Sequence, residues 1–392
     1  MTPKPPTALV LAAAILPLAG CGGVLLNLSD LLGRVSDGLG LVGTCLSDLD
    51  PVSLDPAFGM AQPAPWNGDA ADLTDAAQPD LAHFYLLAVG DDVLPRWYLN
   101  ERLYDLGPLA AGDALRIELL SEAVDGLWLY DDAHTLTGAY ARDYQAQRTE
   151  LTVRLPADTT ALFVRFNLAY LRDEGDPMVR VSRAADPEPP PSPQIVVLNF
   201  AGAEQVAFRS GWVRPTSVAP VDDPLVRQHA LQAFIDSFAD YSLTVLTDAD
   251  PTPENPYSLI HIGYADPPLG DSTNGISEYV DWGNRVADDL AVVDLNSEAL
   301  RTAALFGRPT LAAAAGKIAA HETGHLLGLQ HVWDADDLMT IGCKGIGLDV
   351  NRILNRQFAK SPLVDFSSGR ERTFGNQDAP AYLRRILSLT QP

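Results

Sequence analysis

His321-Glu322-Thr323-Gly324-His325-Leu326-Leu327-Gly328-Leu329-Gln330-His331 is the stretch on which the reading of this chain turns. It closes an Ala-rich run, Pro309–Leu329, that predicts a long helix with Pro309 in its first turn. At 3.6 residues per turn, positions i and i+4 lie about 40° apart and about 6 Å along the axis. His321 and His325 therefore share a face and can both reach one metal ion about 2.1 Å from each ring nitrogen. Glu322 stands one step round, beside such an ion, where it can take a proton from an attacking water. His331 would lie about 9 Å beyond His325 on a continuing helix, so the chain must turn back first. Gly328 supplies the turn, because glycine enters the left-handed conformation that ends helices. Three protein ligands with one position left open is the catalytic arrangement of zinc, whereas structural sites are closed by four.

Only seven histidines occur in 392 residues, and three of them fall in these eleven. A chance match at all five fixed positions is expected in roughly one chain in 10⁵, which separates the run from a core helix whose histidines are merely satisfied.

These residues resemble the extended zinc signature of the metzincin metallopeptidases. The resemblance implies a zinc endopeptidase with His321, His325 and His331 as ligands and Glu322 as general base. It also implies a methionine turn, for which Asp337-Leu338-Met339-Thr340 is placed, with Met339 forming an apolar floor beneath the imidazoles. Astacin- and serralysin-like members carry a Tyr two residues after that Met; Ile341 stands here, closer to matrixin- or reprolysin-like members. The resemblance covers about Ile195 to Phe366 in layout but only residues 321–340 in motif. It implies an α/β metzincin-like catalytic domain, a mixed twisted sheet plus an active-site helix, in the order strand, helix, three strands, helix. In that layout an edge strand receives an extended peptide or protein substrate. Gly275, Ile276, Ser277, Glu278, Tyr279 and Val280 are the candidates, a plain surface turn being the other reading. Residues 341–349 would wall the pocket beyond the cleaved bond.

Working outward, residues 194–392 alternate strands and helices. Strands are expected at Ile195–Phe200, Tyr241–Leu246, Ser258–Gly263, Gly275–Val280 and Leu290–Leu295, with helices at Pro224–Phe238 and about Asp349–Lys360. Five prolines within residues 184–193 make an extended spacer between domains. Residues 81–183 carry short strands between turn signals and predict an all-β sandwich. Gly112–Ile117 and Leu127–Asp131 loosely resemble the pre-peptidase sandwiches of secreted bacterial proteases. Residues 21–80 read as a tether and irregular lead-in.

Residues 1–20 read as a signal peptide: Lys4, then 13 apolar residues, too short to span a bilayer. Leu18-Ala19-Gly20-Cys21 resembles a bacterial lipobox, implying lipidation at Cys21 and a membrane partner reached through that anchor. The expected location is the cell envelope, facing away from the cytoplasm. Net charge is −24, which argues against nucleic acid or an anionic bilayer surface as the main partner.

Cys45 and Cys343 are open to three readings: a disulfide, free thiols, or a latency role for Cys45. Calcium could be held by Asp334, Asp336 and Asp337, or by Asp281, Asp288 and Asp289, but neither set fits a loop signature and solvated turns are the simpler reading. His83, His134, His229 and His261 receive no role, and Trp97, Tyr98, Trp128 and Tyr130 read as core. The sequence points to a lipid-anchored zinc endopeptidase; the competing class is a surface adhesion lipoprotein with a vestigial zinc site.

Overall fold

A computed structural model describes residues 52–74, 100–121, 124–141, 150–168, 177–184, 194–209, 215–269, 273–340, 350–364 and 372–387. The leader, Cys21, Cys45, Cys343, His83, Trp97, Tyr98, most of the proline-rich spacer and residues 341–349 lie outside them.

β1 (Val52–Ser53) leads into a 3-10 turn over Asp55–Met60. β2 (Gln62–Pro63), β3 (Trp66–Asn67) and β4 (Ala70–Thr74) follow. Then come β5 (Asn100–Asp105), β6 (Ala114–Leu119), β7 (Val124–Tyr130), β8 (Leu136–Ala141), β9 (Glu150–Arg154), β10 (Phe163–Leu168) and β11 (Pro177–Arg183). They form two five-stranded sheets, ordered β2-β5-β10-β7-β8 and β3-β4-β11-β6-β9. The period of two explains the packing. In β6, Leu115 and Ile117 are fully buried, while Arg116 between them turns out to pair with Glu150 at 2.7 Å. Leu127, Leu129, Val164, Phe166, Val179 and Val181 fill the same core. Residues 62–74, read from sequence as part of the lead-in, supply strands to both sheets.

The second half opens with β12 (Ile195–Asn199), β13 (Ala203–Val206) and β14 (Thr216–Ala219). Helix α1 (Pro224–Ser237) follows, capped by Asp223, whose carboxylate accepts the Leu225 amide. After it come β15 (Thr244–Thr247), β16 (Ser258–Asp266), β17 (Gly275–Ser277) and β18 (Leu290–Asp294). Helices α2 (Glu298–Ala304) and α3 (Arg308–Leu326) complete this unit. The seven strands make one mixed sheet in which β12, β15, β16 and β18 run parallel and β17 pairs only with β18. Helices α1 and α3 pack on one another, burying Val226, Ala230 and Phe234 with Ala312, Ala315 and Ala319. The chain ends with α4 (Val350–Asn355), β19 (Lys360–Val364), β20 (Arg372–Asp378) and α5 (Ala379–Leu387).

The expected fold class is corrected here. Strand outweighs helix among the described residues, and the strands fall into four sheets. The order expected after the spacer was strand, helix, three strands, helix. Instead the hairpin β13–β14 intervenes before α1, and α2 intervenes before α3. The hairpin was missed because it is short and polar; its apolar residues Val206 and Val218 bury with Phe208 and Val292 in a small cluster apart from the main core. The helix expected over Asp349–Lys360 stops at Asn355, and Lys360–Val364 is strand. There β19 pairs with β20, and β20 with β1, in a three-stranded sheet. A β-rich molecule with four sheets therefore replaces the α/β description. Among the described residues no helix is long and apolar enough to cross a membrane.

The two halves share one continuous core. Phe58, from the 3-10 turn, stacks on His134 at 3.9 Å and packs on Phe163 at 4.9 Å and Phe374 at 4.6 Å. Arg165 lies over the Phe374 ring at 4.0 Å, and the Asn376 amide donates to the His134 carbonyl.

Candidate metal centre

Helix α3 carries His321 and His325 one turn apart and ends at Leu326, short of the expected Leu329, with the turn falling at Gly328 as expected. The Leu329 amide donates to the Gly324 carbonyl at 2.8 Å and the Gly328 amide to the His325 carbonyl at 2.7 Å. That pair of bonds is the Schellman motif. Gly328 sits at φ +102, and a Cβ there would lie 2.6 Å from both Trp282 Cα and Tyr382 Oη. Both the turn and the space require glycine.

Past Gly328 the chain doubles back, and β19 receives it. Val332 bridges to Thr340 and to Leu363, the Trp333 amide donates to the Pro362 carbonyl, and the Val364 amide donates to the His331 carbonyl. Gln377 of β20 holds Gln330 by both main-chain groups, at 2.7 and 3.0 Å. The third histidine is thus positioned by the C-terminal hairpin, which the sequence reading had not seen.

The result is a triangle of ring nitrogens. His321, His325 and His331 bring their Nε2 atoms to 3.1, 3.2 and 3.3 Å from one another. The His321 Nδ1–H donates to the Leu338 carbonyl and the His325 Nδ1–H to the Leu329 carbonyl, each at 2.7 Å. A carbonyl accepts only, so those two rings carry their protons on Nδ1 and turn bare lone pairs inward. Burial holds the imidazoles neutral, His321 pushed down to about 3 and His325 to about 4, with His331 also lowered. Lone pairs aimed at one another repel unless a cation lies between them. The spacing brackets a point about 2 Å from each nitrogen, the length of a metal–imidazole bond. The donor set fits a metal ion, and the three histidines can hold one.

Glu322 is 5% exposed, and burial pushes its carboxyl up to about 8. A divalent charge next to it would draw that value down. The backbone of β17 lies against it: a Cβ on Gly275 would be 2.7 Å from Glu322 Oε1. The Asp294 amide donates to the Asn274 carbonyl and the Glu278 amide to the Leu290 carbonyl. Antiparallel alternation then makes Ile276 the inward-bonded residue and turns the main-chain groups of Gly275 and Ser277 away from β18, where Gly275 is partly exposed and Ser277 buried. Of the six residues expected on the edge strand, Gly275, Ile276 and Ser277 form it. Glu278, Tyr279 and Val280 lie beyond the strand and are buried, as is Ser277 within it, and Glu278 is held by the Arg209 guanidinium at 3.0 Å.

Met339 is fully buried with its sulfur against Gly324, between the two helical ligands. Asp337 fixes that turn. One carboxylate oxygen accepts the Met339 amide at 2.8 Å, the other the Ser361 hydroxyl of β19 at 2.7 Å. Burial pushes its carboxyl up to about 6. Asp337, Asp281 and Asp289 are buried, not the solvated turns expected of them, and among the described residues neither aspartate set brings three ligand oxygens together.

The cleft over the triad has a volume of about 210 Å³. Besides His321, Glu322 and His331 its walls include Lys317, Thr340, Ile353 and Arg356, of which only Thr340 stands in a stretch quoted from sequence, at the end of the methionine turn. The spacing of Lys317, four residues before His321 on the same helix, was the one available signal.

No protein-family model matches the sequence. No curated protein matches it either. Among solved structures, an active-site mutant of a family two carbohydrate esterase from Clostridium thermocellum aligns over 41% of this chain and 58% of its own, at 9% identity and a TM-score of 0.13. This chain thus spans a little over half the length of that protein, and at that TM-score the likeness says nothing about fold or function.

Proposed function

We propose that this protein is a zinc-dependent endopeptidase, held to a cell envelope by lipid at Cys21. The observation that supports it most is the triangle of inward-facing imidazole nitrogens beside a buried carboxylate, with the glycine of strand β17 against that carboxylate. The ligand set, the adjoining glutamate and the methionine turn match the metzincin signature residue by residue; the proposal rests on that site and not on the overall fold. Zinc on His321, His325 and His331 would supply Lewis-acid polarisation of a carbonyl and make water acidic near neutral pH.

The chain's own groups do the rest. Gly275, partly exposed on β17, offers N–H and C=O groups that pair with an extended peptide, giving affinity that is indifferent to most side chains. The missing side chain at Gly275 lets that peptide lie against Glu322. Glu322 takes the proton of the attacking water and delivers it to the leaving amine nitrogen. The Leu338 and Leu329 carbonyls hold the His321 and His325 rings in the tautomer that faces a metal.

Glu322→Gln tests this. The zinc-loaded variant is expected to keep one metal per chain while cleavage of an unfolded protein substrate falls by roughly 10²–10⁴-fold. Undiminished cleavage by that variant, or cleavage indifferent to a chelator, would remove the proposed base or the metal.

A further inference from the structure

Within the cleft, positive charge collects in an otherwise acidic molecule. The chain carries a net −24, yet among the described residues the charged groups that line the cleft are two cations, Lys317 and Arg356, against the single carboxylate of Glu322. Lys317 is 5% exposed. Its ammonium donates to the Arg356 carbonyl at 2.9 Å, its one hydrogen bond among the described residues. An ammonium has three donors, so two are unspent. Thr340 adds a second unsatisfied group: it is 3% exposed, and its hydroxyl has no hydrogen-bond partner among the described residues. Leaving a buried charge or hydroxyl unpaired is costly, and both groups line one cleft. A carboxylate, two oxygens and no donor, is the acceptor both lack.

Position agrees with chemistry. Lys317 precedes His321 by one helical turn on the same face, about 6 Å along the axis. One residue of extended chain advances about 3.3–3.6 Å. A side chain adjoining the bond over the triad reaches that far. Arg356 lines the same cleft and adds a second cation beside Lys317.

We propose that Lys317 and Thr340 form a carboxylate-binding subsite, and that the preferred peptide carries a carboxylate on or next to the residues flanking the cleaved bond. This rests on the peptidase reading above. The carboxylate could belong to an internal Asp or Glu or to a nearby C-terminus. Lys317 acts here as a specificity residue; it does not touch the reacting atoms.

The test uses the full-length chain, loaded with zinc, and a matched peptide set. Members carry Glu, Asp, Gln or Ala beside the bond, each ending in a free acid or an amide. The wild type is expected to favour an acid over its amide counterpart about tenfold or more in kcat/KM. An internal Glu:Gln ratio assigns the side chain as source, and an acid:amide ratio at the terminus assigns the chain end. Lys317→Met should bring the ratio to within about twofold, with Lys317→Arg restoring most of it. If Lys317→Met does not fold, Thr340→Val should still lower the ratio. An unbiased wild type, or variants that keep its bias, overturns the subsite.

Binding separates this from the peptidase reading. Fluorescence anisotropy of the same peptides on the zinc-loaded Glu322→Gln chain needs no cleavage. If nothing is cut but the acid peptides bind selectively and Lys317→Met abolishes the selectivity, the subsite stands and the peptidase reading falls. Equal binding of acid and amide peptides, or binding of neither, overturns the subsite.

Discussion

A carboxyl buried as deeply as Glu322 holds its proton at neutral pH unless a cation stands beside it, and Gly275 decides where that charge sits. Gly275→Ala drives a methyl group into the Glu322 carboxylate, which can swing away because it ends a flexible side chain. Stability and metal content should change little, while cleavage falls at least about tenfold; parallel metal analysis and kinetics check this. His261 supplies a pH prediction. The Asn199 amide donates to its Nδ1, and burial lowers its pKa to about 4. An unfolded imidazole titrates near 6.5, so between those values the unfolded chain binds more protons and stability falls as pH falls. Asp337, pushed up to about 6, acts in the opposite sense over part of that range, so a variant is needed to isolate the imidazole. Going from pH 7 to pH 5, urea denaturation of the metal-free protein should lose about 2 kcal/mol more in the wild type than in His261→Gln. At this scale the triad and Glu322 were legible, because they stand in register on one helix and its stop. Lys317, Thr340 and Asp337 were not, because their roles arise only when distant segments fold onto that helix.

The third ligand depends on a turn and a hairpin. Gly328→Ala places a non-glycine residue at positive φ and drives its Cβ into the Trp282 backbone. A loss of at least roughly 2 kcal/mol is expected, with His331 displaced. Thermal melts should show a lowered Tm, and zinc stoichiometry below one per chain should accompany it. Nothing in the local residue pattern signals that β19 and β20 hold Gln330 and His331. Residues 349–360 have apolar spacing compatible with helix, and only pairing with β20 draws Lys360–Val364 into a strand. The stop at Gly328 was readable because glycine chemistry is local. The partner that catches the returning chain was not, because strand pairing is decided by residues far along the sequence.

Across the whole molecule, the proline-rich boundary read from composition does not divide the packing. Phe58 joins rings from both halves, Tyr130 and Phe163 on one side and Phe374 on the other. Phe58→Ala should therefore cost about 3–5 kcal/mol and lower the urea midpoint of both halves together. Near-ultraviolet dichroism and metal release, followed in one titration, should move as a single transition; separate transitions would show two independent units. A sandwich, a spacer and an α/β domain were expected because each stretch was read for its own period. Residues 52–74 and 360–378 have little periodicity of their own, yet they supply strands to three of the four sheets. Mechanically, this gives the N-terminal end an unusual neighbour. Val52 and Ser53 pair with Arg372 and Thr373, and the same strand, through Gln377, clasps Gln330 beside the third imidazole. Tension applied through an N-terminal tether would load that strand first, and peeling it away would loosen the grip on His331 before either five-stranded sheet had yielded.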